Sequence, residues 1–420
     1  MELEAKGVFR CQADPAPRRP TTEKEVTATS DIARMTEISV FPFARDSLIP
    51  DRRVPTPEIP TYWDYLKLDP LLELQGGLEG DEKRLMPDEL HFIIVHQAFE
   101  LWFKLMLREL RLARDHLAEA HVPEEQVPYV VHHLRRVNEI LRLLVEQFRV
   151  METLTPQDFL GFRDKLIPSS GFQSFQMREI EILLGLEDDQ RLHLGETDPL
   201  DHIRQLAKNS PGGEKAWARI VEARREVTLL QALRDWLYRT PIQGSVPTSP
   251  NDRDAVHKFL TAYLEAHRQG LDEQKDQFVK RGVGPEKTLG EKLEQSADAA
   301  YEFFFAADVP EPDRLHHRRV RAGLIFIESY RELPLLAWPR LLLDTIVELE
   351  ELMVLWRSRH ARMVERTIGR RVGTGGSSGV DYLDQTARYR IYSELWAVRT
   401  LLLPKAAVPA LENPEVYGFA

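Results

Sequence analysis

The chain has 420 residues, of which 43% are hydrophobic and 29% are charged, a composition that supports a sizeable buried core. Its formal net charge of -11 opposes a broad phosphate-binding surface, so nucleic acid is not an expected partner. A single cysteine, Cys11, excludes a disulfide framework and any cysteine-based zinc or iron–sulfur site, and it favours a reducing, cytoplasmic location.

The first 57 residues mix proline, threonine and charged side chains without sustained periodicity. Such a segment cannot bury enough apolar surface to offset the entropy lost on ordering. We therefore expect a disordered N-terminal extension over residues 1–57, followed by one domain over residues 58–420. The apolar runs are short and interrupted by charge, and the N-terminus is polar. We expect neither a membrane span nor a secretion signal.

Two long helices are predicted in the first half of the domain. Pro87 and the acidic residues after it suit the first turn of a helix, which we expect to continue to about Ala120. Apolar residues spaced three or four apart predict a second, amphipathic helix over residues 129–151.

Two further helices have defined ends. Thr155 is a predicted N-cap for a short helix that carries Arg163 and ends before Pro168. Another long helix is predicted over residues 339–368 and stops at Gly369. Because no sustained alternation of period two occurs, the predicted fold class is all-α, a helical bundle.

The last of these helices carries His360 on its apolar stripe, one turn after Trp356. A neutral imidazole in an apolar wall is suited to ligating a haem iron. On the residues alone, a hydrogen-bonded core histidine is the more common interpretation.

His96 shares a predicted helix face with Phe92, Phe99 and Phe103. An imidazole ringed by aromatic side chains could bind an indole N–H, although such a stripe is more often simple core packing. The two histidines could instead bind zinc or a di-iron centre. No His-x-x-x-His or Glu-x-x-His cluster accompanies either one, so that interpretation is poorly supported.

Arg163 has Phe159 and Phe162 nearby and precedes the turn that contains Gly171. A guanidinium partly enclosed by apolar groups is a strong bidentate site for a carboxylate, whereas the plain alternative is a surface arginine. The glycine-rich residues 373–379 could be a linker or a mobile lid, in which Thr374 offers a hydroxyl to an ammonium group. A phosphate loop is excluded because no lysine follows in the required order.

Residues 96–104, 158–176 and 356–383 resemble the tryptophan 2,3-dioxygenase family in their residues, order and spacing. The likeness begins near Tyr62 and is weak over residues 188–310. The chain departs from the family pattern at residues 87–91, where the family more often has a His-Asp-Glu-His turn.

The resemblance implies a haem b bound between helices, with His360 as the axial ligand, fourteen residues before Thr374 as in the family. It also implies that His96 is the catalytic distal histidine and that the segment at Tyr62 reaches a neighbouring subunit of a homotetramer. The implied substrate-binding residues are Phe92, His96, Phe159, Arg163, Thr374 and Tyr62. The implied cofactor-binding residues are His360, Trp102 and Gly171.

The activity implied by the resemblance is cleavage of the indole C2–C3 bond of L-tryptophan by O2. The product would be N-formylkynurenine, at the head of the kynurenine pathway, and the enzyme would be cytoplasmic. A haem-dependent mono-oxygenase of an indole or phenol amino acid would use the same histidines. A non-catalytic haem-binding protein would need no amino-acid clamp, and a helical interaction protein would need no haem.

Overall fold

The computed structural model describes residues 61–192, 199–208, 210–283, 285–373 and 379–418. The extension predicted for residues 1–57 lies outside these ranges. The chain divides into two units, Met1–Lys67 and Leu68–Ala420. In the described part of the first unit, helix α1 (Tyr62–Leu66) starts where the Thr61 hydroxyl accepts a hydrogen bond from the Asp64 N–H.

The described part of the second unit is helical. Its α-helices are α2 (Leu68–Leu72), α3 (Pro87–Ala118), α4 (Val127–Met151), α5 (Pro156–Phe162), α6 (Phe175–Leu184), α7 (Pro199–Ala207), α8 (Pro211–Ala223), α9 (Leu229–Arg239), α10 (Asp252–Lys280), α11 (Glu286–Phe304), α12 (Arg314–Ser329), α13 (Ala337–Ile368), α14 (Gly379–Thr386) and α15 (Ser393–Thr400). Short 3-10 turns join several of them. No strand occurs in the described ranges, where the pairing of Ile242 with Ser245 is an isolated bridge. The all-α prediction is confirmed.

The predicted helix starts agree closely with those observed, but the short helix predicted to carry Arg163 ends one residue before it, at Phe162. Helix α3 begins at Pro87, as expected from its proline and acidic first turn, and α4 and α13 begin two residues before their predicted starts. Gly369 ends α13 with φ 60°, a left-handed conformation that favours glycine. Thr155 caps α5 by accepting a hydrogen bond from the Asp158 N–H at 3.2 Å.

The main core lies where α4 packs against both α3 and α13. Leu110 on α3, Leu134, Leu141 and Leu144 on α4, and Ile346 on α13 are fully buried. Burying each of these side chains contributes about 1.5–3 kcal/mol. These three helices therefore form the rigid frame from which site residues project.

Helix α3 departs from one expectation. It is long and apolar enough, by length and composition, to cross a membrane, whereas the sequence suggested that no segment would be. The core helix of a soluble protein passes the same test. Phe99, Met106 and Leu110 of α3 are buried in the main core, but only 28% of its apolar window is buried, so helix packing accounts for part of its apolar character.

A partly buried carboxylate on α15, Glu394, connects three helices through ion pairs. Glu394 lies 3.1 Å from Arg234 on α9 and 2.8 Å from Arg321 on α12, with His317 at 3.6 Å. Burial acts to raise the pKa of this carboxyl. His317 and the two guanidinium groups outweigh burial and lower the pKa from 4.5 to about 2.

Glu394→Gln is expected to remove a stabilisation that depends on pH. Since the folded pKa lies below the unfolded one, the stabilisation is complete above about pH 4.5 and is lost as the pH falls toward 2. We expect the variant to be less stable by roughly 3 kcal/mol at pH 6, with the difference shrinking in acid. Urea unfolding across this pH range measures the difference in the free energy of unfolding between the variant and wild type. The exposed Glu351→Gln is the control, and an equal deficit at every pH would contradict the prediction.

Candidate active site

A cavity of about 430 Å³ opens among α3, α5, α6, α13 and α14, within the size range of small-molecule sites. A smaller cavity of about 130 Å³ adjoins it. His96, His360 and Gly171 line both cavities, so they mark where the two spaces meet.

His360 projects from α13 into this junction. The Phe148 ring stacks on its imidazole at 5.5 Å, with 11° between the planes, and the Trp356 ring lies 5.3 Å away. Its Nδ1 is buried and has no hydrogen-bond partner among the described residues. Burial, then repulsion from His96 and Arg178, lowers the pKa of His360 to about 4. The imidazole is therefore neutral near pH 7, with a lone pair available to a metal.

His96 projects from α3 with a defined tautomer. Its Nδ1 lies 2.8 Å from the Phe92 carbonyl oxygen, which can only accept, so Nδ1 carries the proton. Burial is the largest influence and lowers the pKa of His96, so the ring is neutral. In this state Nε2 is a hydrogen-bond acceptor, as required to bind an N–H group.

Aromatic side chains adjoin His96. The Phe92 ring centroid lies 4.0 Å from the imidazole, 5.9 Å from Phe159 and 5.6 Å from Phe162. Phe92 and Phe159 line both cavities. A flat apolar ring bound beside His96 would therefore meet aromatic faces and edges.

Arg163 lies in the 3-10 turn that follows α5 and lines only the smaller cavity. Its guanidinium donates to the Val372 carbonyl, while its Nε is buried with no partner. No carboxylate pairs with it among the described residues. An arginine with an unsatisfied buried N–H beside a cavity is suited to bind an anionic group.

Gly171 lies in a short turn that is fixed by hydrogen bonds of the residues on either side of it. The Ser170 hydroxyl accepts a hydrogen bond from the Phe172 N–H at 3.3 Å, and the Gln173 amide donates to the Pro168 carbonyl at 3.0 Å. A Cβ built on Gly171 would meet no atom within 4 Å. The backbone here is therefore open to a ligand.

The structure brings together Phe92, His96, Phe159, Arg163, Gly171 and His360 around the two cavities. Trp102 lines neither one; it packs against the core, because neighbours on a helix point about 100° apart and Phe103 faces the cavity. Tyr62 belongs to α1 in the first unit, and Thr374 lies outside the described residues.

Sequence reasoning missed several polar residues that line the larger cavity, among them Arg178, Glu181, Arg357 and Tyr382. The available signal was the charge within α6, a short helix that is otherwise mostly apolar. The helical periodicity of the sequence alone could not show that these charged side chains are buried.

Comparison with known proteins places residues 56–402 in the family model described as tryptophan 2,3-dioxygenase. A tryptophan 2,3-dioxygenase of Sorangium cellulosum is 48% identical over 85% of this chain and 87% of its own length. Tryptophan 2,3-dioxygenase 2 of Ralstonia nicotianae is 48% identical over 86% of this chain and 98% of its own. A tryptophan 2,3-dioxygenase-like protein of Xanthomonas campestris is 49% identical over 63% of this chain and 98% of its own.

Gly171→Ala is expected to change the free energy of unfolding by less than about 0.5 kcal/mol, because the new methyl group enters open space. Gly323→Ala is the matched comparison, since its Cβ would lie 2.5 Å from the Leu237 carbonyl oxygen. We expect that variant to lose about 1–3 kcal/mol. Urea denaturation of both measures the difference, and equal losses would mean that Gly171 packs against protein.

Proposed function

The chain belongs to the tryptophan 2,3-dioxygenase family and is an oxidoreductase that acts on tryptophan, and we propose that it does so with a haem b bound by His360. The observation that carries the proposal is a neutral imidazole in an apolar wall that lines the same two cavities as a second neutral imidazole. The residues present fit this cofactor. The apolar walls suit its rings, the open backbone at Gly171 leaves room, and His360 supplies the nitrogen ligand.

When bound, the haem iron would supply the activation of O2 needed to cleave the indole C2–C3 bond, a chemistry that belongs to the cofactor. His96 would accept a hydrogen bond from the indole N–H at Nε2, since its Nδ1 proton is already donated to Phe92. Phe92 and Phe159 would hold the flat ring. These contacts would orient C2 and C3 toward the cofactor.

The amino-acid end of the substrate would lie in the smaller cavity. Arg163 would bind the carboxylate, because its Nε lacks a partner and its guanidinium faces this space. We assign Thr374 to the ammonium group, as the family resemblance implies. Fixing both ends of a bound substrate is worth several kcal/mol of barrier when reacting atoms are held near attack distance.

The remaining parts of the proposal concern the domain, the product, the location and the assembly of the enzyme. Residues 58–420 would form the catalytic domain. The product would be N-formylkynurenine, at the start of the kynurenine pathway. The enzyme would be cytoplasmic and would have no membrane or nucleic-acid partner. Tyr62 would reach a neighbouring subunit of a homotetramer. Light scattering after size-exclusion chromatography should give the mass of four chains, and a fully active monomer would reject this assembly.

The test of the reaction is product mass after turnover of L-tryptophan under ¹⁸O₂. A dioxygenase incorporates both labelled atoms into one product molecule. Incorporation of a single atom would instead support the mono-oxygenase alternative. Haem binding without any product would support a non-catalytic haem protein.

His360→Ala is expected to abolish stable haem binding, because no other side chain has been assigned to the iron. Absorbance of the purified protein in the Soret region measures haem occupancy. The exposed His121→Ala should keep full occupancy. An unchanged Soret band and full occupancy in His360→Ala would reject the ligand assignment.

Arg163→Ala is expected to weaken L-tryptophan binding while leaving the fold intact. Loss of a charge-assisted pair costs about 2–5 kcal/mol, or roughly 30-fold to several thousand-fold in affinity. Steady-state kinetics should compare L-tryptophan with tryptamine, which lacks the carboxylate. Arg163→Lys keeps the charge and should fall between wild type and alanine. If Arg163→Ala still prefers tryptophan as strongly as wild type, the carboxylate binds elsewhere.

A further inference from the structure

Helix α12 carries four arginines, and three of them are paired with carboxylates. These pairs are Arg314–Glu311 at 3.2 Å, Arg319–Asp252 at 2.8 Å and Arg321–Asp308 at 2.6 Å. Arg318, the fourth, has no ion pair among the described residues. The chain has a net charge of -11, so acidic side chains are in excess. An arginine left without one is therefore a place to look for an external anion.

Arg318 is held in place by uncharged groups. Its guanidinium lies over the Phe305 ring, 4.6 Å from the ring centroid, and its Nη2 lies 2.7 Å from His257 Nδ1. Because a guanidinium can only donate, Nδ1 accepts, and the neutral imidazole carries its proton on Nε2. The Nε of Arg318 is buried without a partner in the described part of the chain, whereas Nη1 is not enclosed. The side chain is therefore fixed while its charge is uncompensated.

A second arginine adds to this charge. Arg253 is exposed in the first turn of α10 and precedes His257 by four residues, so the two side chains share a helix face. Burial, and after it the charge of Arg253, lowers the pKa of Arg318, which means that the two guanidinium groups lie near each other. Both carboxylate oxygens of the adjacent Asp252 bind Arg319, and no ion pair of Arg253 occurs in the described ranges.

The cluster presents three N–H donors from two helices. They are the guanidinium of Arg253, Nη1 of Arg318 and the Nε2–H of His257. A carboxylate is planar and suits the fork of one arginine, whereas a phosphate group has oxygens in several directions and accepts from separate donors. The Tyr301 ring, 56% exposed, packs against Phe305 at 4.6 Å and offers an aromatic surface beside the cations.

We propose that Arg253, His257 and Arg318 form a binding site for a phosphate group, either inorganic or carried by a small phosphate ester. None of the three residues lines either cavity of the candidate active site, so the inference is independent of the proposed function. An anion bound between α10 and α12 would offset the repulsion between the two arginines. It would also stabilise the folded chain, since the site exists only when the helices are packed.

Protection of Arg253 from phenylglyoxal, a reagent that modifies guanidinium groups, tests the site. Full-length protein is treated in phosphate and in chloride at equal pH and ionic strength, and peptide mass spectrometry gives the modification rate of each arginine. Phosphate should slow the modification of Arg253 at least severalfold, and the concentration dependence gives a dissociation constant. Arg318→Gln should raise this constant about 10-fold or more, the equivalent of one charge-assisted hydrogen bond. Arg318→Lys keeps the charge, should raise it less, and serves if the glutamine variant fails to fold.

Arg136 is the matched control in the same sample. It is also exposed and also contacts a histidine, with its Nη2 2.9 Å from His132 Nε2, but its Nη1 donates to Glu109 at 2.8 Å. Because a carboxylate already neutralises it, phosphate should leave the modification of Arg136 unchanged. Equal protection of Arg136 and Arg253 would mean that phosphate acts on arginines in general and would overturn the site.

Other anions identify the ligand. A nucleoside monophosphate that protects Arg253 at lower concentration than inorganic phosphate would support a phosphate ester whose ring packs on Tyr301, and equal potency would support inorganic phosphate. Acetate that protects as well as phosphate would overturn the phosphate assignment in favour of a carboxylate. Equal protection by chloride, or protection that is unchanged in Arg318→Gln, would overturn the site itself.

Discussion

The burial of His360 in an apolar wall is the constraint on which the rest of the site depends. Packing of Phe148 and Trp356 against the ring excludes water, and desolvation keeps the imidazole neutral. A neutral ring retains the lone pair that a metal needs, but it offers no charge to an anion in the same space. The cations that could bind carboxylates must therefore come from other residues of the cavity walls.

Those cations line different cavities and differ in how they are held. Arg163, in a 3-10 turn, is half-buried and bound to one backbone carbonyl, so it can adjust to a small ligand that enters and leaves. Arg178 and Arg357 project from α6 and α13 and share a buried glutamate, so their positions are fixed before any ligand arrives. An adjustable arginine suits a substrate that enters and leaves at each turnover.

The features that could be predicted from the sequence are local ones. The ends of α3 and α13 follow from Pro87 and Gly369, and the cap of α5 follows from the hydroxyl of Thr155. The shared face of Phe92 and His96 needs only the helical period. The Arg178–Glu181 pair, by contrast, has the spacing of an ordinary surface ion pair. Its burial depends on partners far along the chain, so no local pattern could reveal it.

The two buried glutamates of α6 give that helix different tasks on its two sides. Glu179 binds arginines from α3 and α8 that lie outside the cavity, and these bonds fix the helix to the frame. Glu181 binds Arg178 and Arg357, which line the larger cavity, and also Arg191, which does not. A ligand held in the cavity by residues of several helices binds only the folded chain. Occupancy of the cavity and stability of α6 are therefore linked, since a ligand selective for the native state stabilises it by mass action.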